Sequence, residues 1–408
     1  MIGYFEGFDY GGEVADKEDN FYLWPKTGAM TALVDADLLP YRVGFTTDEA
    51  KYLSALALVE DGHYNSIEDT PAFEDAFDQL CATLNKWVRD AGCDSAILFS
   101  TKSDSNFRLD IAYTDEYKGQ RGSDKPPFFE ELKKAMTTRL GCKLADGIEA
   151  DDELSIHAWE AFYYELEPSG VTAGSPQHRE LCSTVTISID KDSTITPTNH
   201  YNPDTRKLHW VDSMGELVPR FKDAMVNDYA YIGTGEFYTR GAKKGQEKMQ
   251  RVCIGQKPSE AIIDLKGSGL KFFYAQIIMG DTADNYKGLK GKGMTAAYQL
   301  LDGCKTEKEL YMATLAAYKE VYGTGTHFCA HYKGTSEYYE RHLEKYGKPP
   351  ADWDFWKGRG AMLTAYDRML EQGRLAWMMT FEGDIWRKGK GRIINPHDKE
   401  FWNERRTT

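Results

Sequence analysis

The sequence predicts an α/β fold with a central, largely parallel sheet flanked by helices. Three observations predict it. Short β-branched runs end on aspartate, amphipathic segments of helical period lie between them, and no internal repeat or long low-complexity tract interrupts the alternation. With 408 residues, 41% hydrophobic and 28% charged, the chain has the composition and length to bury a full core.

The elements follow in chain order. Residues 1–28 are acidic and punctuated by glycine, with no strong period, and are read as a leader. TALVD is the first firm strand and ends at Asp35. In AFEDAFDQLCATLNKWVRDAG the apolar residues Phe73, Phe77, Leu80, Leu84 and Trp87 recur at helical spacing, with Gly92 placed as the stop. SAILFS is strand-like, a helix-rich stretch follows, and TVTISID is a β-branched strand ending at Asp190. Ligands of parallel sheets collect beyond the carboxyl ends of the strands, where Asp35 and Asp190 both fall. From about 193 to 268 the sequence is turn-rich and then basic and glycine-interrupted, and is read as an insertion. Leu270 to Met279, Met294 to Leu301 and Thr306 to Tyr322 read as helices, and the chain beyond about 330 as helical and aromatic.

Composition excludes several classes. No run approaches the roughly 20 apolar residues of a membrane span, and the first residues lack the basic region of a secretion signal, so a cytoplasmic protein with no membrane partner is expected. Seven cysteines without a CxxC pair predict reduced thiols. A net charge of -14 argues against nonspecific coating of nucleic acid, which relies on neutralising phosphates with Lys and Arg. It leaves room for an enzyme with a local acidic site.

Four acidic groupings supply such a site: Asp35, then Glu149, Asp151 and Asp152 in GIEADDE, then Asp190 and Asp192 in ISIDKD, then Asp281 and Asp284 in GDTADN. Singly, each is as well explained by helix capping or an aspartate turn. Together at element ends they would repel one another without cations, and Mg²⁺ or Mn²⁺ prefers such oxygen ligands. Asp281 and Asp284, at i and i+3, share one side if the local backbone is helical. Paired divalent ions suit in-line displacement at phosphorus, which makes phosphodiester hydrolysis the expected reaction. Tyr117, Lys118 and Arg121 in DEYKGQR add an aromatic face and two cations, candidates for gripping a scissile phosphate and a terminal base.

The ordered set ALVDADLLPYR, NFRLDIAYTDEYKGQR, GIEADDE, ISIDKD and IMGDTADNYKGLKGKG resembles the 5′ nuclease superfamily of flap endonucleases and phage 5′ to 3′ exonucleases, over roughly Thr31 to Gly303. The resemblance implies a PIN-like nuclease core at 29–279 with the insertion at about 193–268. It further implies a helix-hairpin-helix DNA-binding region at 280–330 and a helical C-terminal region at 331–408. By motif, Asp35, Glu149 and Asp151 would serve a first Mg²⁺ or Mn²⁺ with Asp152 close by, and Asp190, Asp192, Asp281 and Asp284 a second. Lys118 and Arg121 would complete the catalytic set with Asp35, Asp151, Asp190 and Asp281, at the base of a helical arch formed by about 125–144.

In GLKGKG, the hairpin glycines Gly288, Gly291 and Gly293, with Lys287, Lys290 and Lys292, would hold duplex phosphates, helped in the family by K⁺. The implied protein is a monomeric, phage-type Mg²⁺-dependent 5′ to 3′ exonuclease with 5′-flap activity on DNA, serving replication, recombination or primer removal. An RNase H-like enzyme acting on RNA:DNA hybrids and a catalytically silent junction binder are the alternatives. One departure stands out: where the family pattern has an aspartate after the second strand, this chain has Ser100, which leaves the first site weaker or completed by water.

Other signals are set aside. His327 and His331 in HFCAH read as a surface pair on a helix, since no HExxH or cysteine pair accompanies them. GSG at Gly267 to Gly269 and the Gly/Lys run near Lys390 lack the spacing of a nucleotide-binding loop, and the late tryptophans Trp353, Trp356, Trp377, Trp386 and Trp402 are assigned to packing.

Overall fold

The computed structural model describes residues 29–120 and 124–386; the leader at 1–28, Arg121, Lys390 and Trp402 lie outside the described residues. The first strand, β1 (Thr31–Asp35), is buried nearly throughout, as a short apolar run covered on both faces should be. Three helices follow: α1 (Leu38–Gly44), α2 (Glu49–Glu60) and α3 (Pro71–Asp90). Helix α3 starts where the Thr70 hydroxyl accepts the Phe73 N–H at 3.3 Å, with Pro71 in the first turn. It buries Phe73, Phe77, Leu80, Leu84 and Trp87 on one face.

Next come β2 (Ser95–Asn106), α4 (Phe107–Ile111), α5 (Phe129–Leu140), β3 (Lys143–Gly147), α6 (Ala150–Ala161), α7 (Pro176–Leu181), β4 (Thr184–Ile187), β5 (Asn199–Asn202) and β6 (Lys207–Trp210). These strands form one six-stranded sheet in the order β3-β2-β1-β4-β5-β6. Every pairing is parallel except that of the edge strand β6. Strand β1 therefore sits inside the sheet, and its carboxyl end lies beside Phe99 in the middle of β2 on one side and the carboxyl end of β4 on the other.

Three local expectations are revised. Strand β4 stops at Ile187 rather than at Asp190, because the Ser188 hydroxyl accepts the Asp190 N–H at 3.0 Å and turns the chain. The region expected to form an arch contains α5, which packs on α1 and α3 and buries Phe129, Leu132, Ala135 and Met136. The stretch from residue 193 is divided: β5 and β6 belong to the main sheet, whereas Val218–Lys266 is a separate compact unit. That unit is the two-stranded ribbon of β7 (Leu217–Phe237) and β8 (Glu247–Gly267).

The chain then continues as α8 (Gly269–Met279), α9 (Met294–Leu301), α10 (Glu307–Tyr322), β9 (His327–Ala330), α11 (Ser336–Tyr346), α12 (Trp353–Trp356), β10 (Gly360–Leu363) and α13 (Ala365–Ala376). HFCAH is a strand, not a helix: β9 pairs antiparallel with β10, and His331 just after it stacks on Trp356 at 3.9 Å. The two histidines thus have separate surroundings and do not form an i, i+4 pair. Trp377 and Trp386 are buried in contact with Phe273 of α8, as packing residues. No helix among the described residues is long and apolar enough to cross a membrane.

A carboxylate cluster at the strand ends as a candidate metal centre

Asp35 closes β1 and is almost fully buried. Its carboxylate accepts the Asp37 N–H at 3.2 Å and the Ser188 hydroxyl at 3.2 Å. Burial, then the nearby Asp37 and Asp190, push its pKa up to about 8. Asp151, in the first turn of α6, is likewise raised well above the carboxylate range, by burial and then by Asp35, Asp190 and Glu149. Its Oδ1 is buried without a hydrogen-bond partner among the described residues. Asp190 reaches the same cluster from the β4 end, and its Oδ1 accepts the Asp192 N–H at 3.0 Å.

Asp192 is buried and raised by burial and then by Asp190, with Asp284 and Asp281 adding to it; Gln276 of α8 donates to it. The four acidic groupings of the sequence are therefore within electrostatic reach of one another.

Asp281 and Asp284 do not lie on a helix. They occupy a tight turn closed by a two-way backbone bridge between Asp281 and Tyr286, and this sends the two carboxylates to different partners. Asp281 pairs with Lys191 at 2.5 Å. Asp284 meets Tyr117, whose hydroxyl lies 2.8 Å from Asp284 Oδ2 and 2.9 Å from Glu149 Oε2, so that one proton is shared between two carboxylates. The Tyr117 ring is buried, 3% exposed, and offers no open face to a base, contrary to the sequence reading. Lys118 bonds Glu149 and lies 3.8 Å from Asp284 Oδ1. Burial opposes ionisation of Glu149, but Arg108 first, and then Lys118 and Tyr117, hold its pKa below the usual value.

Sequence reasoning missed four residues. Arg108 is fully buried and grips Asp152 with two bonds of 2.5 and 2.8 Å, so both Asp152 oxygens are engaged by protein. Lys191 stands between two of the named aspartates and neutralises Asp281. Asp37 is drawn to the middle of β2 by the Ser100 hydroxyl at 2.6 Å and the Thr101 N–H at 2.9 Å, and Lys133 approaches it at 3.3 Å. A carboxylate therefore does stand beside Ser100, contributed by β1's loop. The available signal was the excess of buried acid, which calls for internal cations; NFRLDI and IDKD contain them.

Among the described residues no three Asp, Glu, His or Cys side chains converge closely enough to enclose an ion, and two of the carboxylates, Glu149 and Asp281, are paired with Lys118 and Lys191. The donor set nevertheless fits a hard divalent cation by its chemistry. It consists of oxygens only, desolvated and mutually repelling, and includes the partnerless Asp151 Oδ1.

The hairpin segment is partly committed inside the fold. The Gly288 N–H goes to Gln372 at 2.9 Å, the Leu289 N–H to Ile278 at 2.8 Å, and a Cβ on Gly288 would come within 2.4 Å of the Gly280 nitrogen. Lys287 pairs with Asp115 at 2.8 Å and Lys292 with Glu320 at 3.2 Å. Lys290, Gly291 and Gly293 are exposed ahead of α9, and Gly291 takes the left-handed conformation, φ +75°.

No family model and no curated protein matches the chain. Solved structures of 5′ nucleases do. The chain is similar to the T5 5′-exonuclease with zinc bound, at 17% identity over 71% of this chain and 89% of that one, with a TM-score of 0.33. It is also similar to the bacteriophage T5 flap endonuclease in a complex with DNA and metal ions, at 16% identity over 72% and 93%, with a TM-score of 0.34. The superpositions are loose, and the functional reading rests on this chain's own residues.

Proposed function

We propose that the chain is a divalent-metal-dependent phosphodiesterase of the 5′ nuclease kind, acting on DNA near a 5′ end or flap. The observation that carries this reading is the partnerless, buried Oδ1 of Asp151, on a carboxyl that Asp35 and Asp190 beyond β1 and β4, and Glu149 at the start of α6, all act on electrostatically. Buried carboxylates that lack cations enough to balance them are an unfavourable arrangement for an apo fold and a favourable one for Mg²⁺ or Mn²⁺.

In this reading Asp35, Glu149 and Asp151 hold one ion, and Asp190, Asp192, Asp281 and Asp284 hold a second. Bound divalent ions supply water activation and stabilisation of the leaving oxygen. Tyr117 orients Glu149 and Asp284 through its shared proton. Lys118, already at the cluster, moves its ammonium from Glu149 to the scissile phosphate, where charge develops in the transition state. Asp152, held by Arg108, fixes the first turn of α6 and so the position of Asp151. Lys290, with the exposed hairpin backbone as far as Gly293, holds duplex phosphates, with K⁺ as the helper ion there, and the chain acts as a monomer.

Single-turnover cleavage of 5′-flap, blunt duplex and RNA:DNA hybrid substrates in Mg²⁺ or Mn²⁺ tests the reading and ranks the substrates. Asp190→Ala is expected to abolish cleavage while junction binding in Ca²⁺ persists. Junction binding without cleavage by the wild type in either metal would make the chain a silent binder.

A further inference from the structure

The ribbon of β7 and β8 is an unusual object. Each strand has 21 residues, about 70 Å at roughly 3.3 Å per residue, and an isolated two-stranded ribbon is marginally stable in water. Its distal half exposes nearly every side chain on both faces. The tip is a built turn: Gly241 and Gly245 take left-handed conformations, φ +77° and +83°, and the Tyr238 N–H bonds the Gln246 carbonyl at 3.0 Å while the Gly245 N–H returns to Tyr238 at 2.8 Å. This turn projects Lys243 and Lys244.

The charge pattern is specific. The whole chain carries -14, yet in residues 218–266 basic residues outnumber acidic ones. The acids nearest the tip are already used, Glu236 by Lys248 at 2.8 Å and Glu247 by the Gly235 N–H at 2.9 Å. Arg240, Lys243, Lys244 and Arg251 are exposed and have no acidic partner among the described residues. Aromatic rings accompany them: the Arg251 guanidinium lies over the Tyr229 ring, 3.7 Å from its centroid, and Lys243 stands 5.9 Å from the Tyr238 ring. A surface held cationic within an acidic protein, with no internal anion to satisfy it, complements a polyanion.

We infer that the tip of this ribbon is a second nucleic-acid contact, in which Arg240, Lys243, Lys244 and Arg251 bind backbone phosphates without reading sequence. A two-stranded ribbon has the width to lie in a duplex major groove. The proposal takes the identity of the polyanion from the nuclease reading of the carboxylate cluster, but not its location or its energetics.

The test is fluorescence-anisotropy binding of a blunt duplex and of a single-stranded oligonucleotide by the full chain in chelator, from 50 to 200 mM salt. Lys243→Gln with Lys244→Gln, both exposed, is compared with the wild type after matched thermal melts. Each lost phosphate contact lowers the slope of log affinity against log salt by about 0.9, so the double variant should lose about two from that slope. Its deficit should then be about tenfold larger at 50 mM than at 200 mM salt.

A deficit on both probes identifies the phosphate backbone itself as the ligand, and a deficit on the duplex alone places the ribbon in a groove. Unchanged affinity and slope on both would overturn the inference, as would unchanged binding with an altered sedimentation coefficient, which would make the ribbon a protein interface. Because no metal is present, a wild type that fails to cleave anything leaves this result intact and defeats only the nuclease reading.

Discussion

Ser100 shows how a single residue changes meaning once its neighbours are known. As sequence it is a missing carboxylate; in the fold it is the hydroxyl that positions Asp37, 2.6 Å away. Adding a carboxylate there would set like charges against each other, so Ser100→Asp should weaken the metal-free fold and should not tighten metal binding. Asp37→Asn should instead raise the Mn²⁺ concentration for half-saturation by about tenfold, the scale of one lost charge-assisted contact. Isothermal titration with Mn²⁺ distinguishes the two variants, and equal affinities for Asp37→Asn and wild type would remove Asp37 from the site. Asp35 gives a pH test. Its pKa rises from 3.8 to about 8 on folding, so between those values the folded chain keeps a proton that the unfolded chain has released. Stability of the metal-free protein therefore falls as pH rises through that window. Asp35→Asn should flatten the decline, read as melting temperature in chelator between pH 6 and pH 9.

At the scale of elements, the strands and long helices were legible because periodicity and apolar runs encode them directly. Thus β1, α3, α8, α9 and α10 fall where their side-chain spacing places them. The turn at Asp281 was not legible, since i, i+3 spacing is shared by helices and by turns closed through backbone bonds. Nor was the strand character of HFCAH, whose pairing partner lies some thirty residues away at Gly360–Leu363. Helix α7 carries a further prediction. His178 is buried between Phe162 and Trp210, its Nδ1 accepts the Gly174 N–H at 3.0 Å, and burial lowers its pKa to about 4. The unfolded chain binds a proton that the folded one refuses between about pH 6.5 and 4. The neutral ring thus contributes stability that is present above pH 6.5 and lost as pH falls toward 4, up to about 3 kcal/mol. His178→Phe keeps a ring in the same space, so its melting temperature should decline less than the wild type's between pH 7 and pH 4.5.

Across the whole molecule, a buried arginine helps join the acidic site to the C-terminal helices. Arg108 bonds Asp152 on α6 with two nitrogens, and it also donates to the carbonyls of Leu375 at 3.0 Å and Trp377 at 2.7 Å, where α13 ends. No pattern in the sequence announces this link, because the partners are separated by 44 to 269 residues. Desolvation makes such a pair weak as a source of net stability, but removing one member strands the other charge in the core. Arg108→Met and Asp152→Leu should therefore each destabilise the chain by about 3 to 5 kcal/mol. The double variant should recover much of that loss, since apolar groups of similar volume replace both charges. Its cleavage should stay low even where its fold is restored, because α6 would no longer hold Asp151 in place. Urea unfolding of the three variants in chelator, set beside single-turnover cleavage in Mg²⁺, separates the two effects. Additive losses in the double variant would mean that Arg108 and Asp152 act independently, and wild-type cleavage by it would show that the position of Asp151 does not depend on this link.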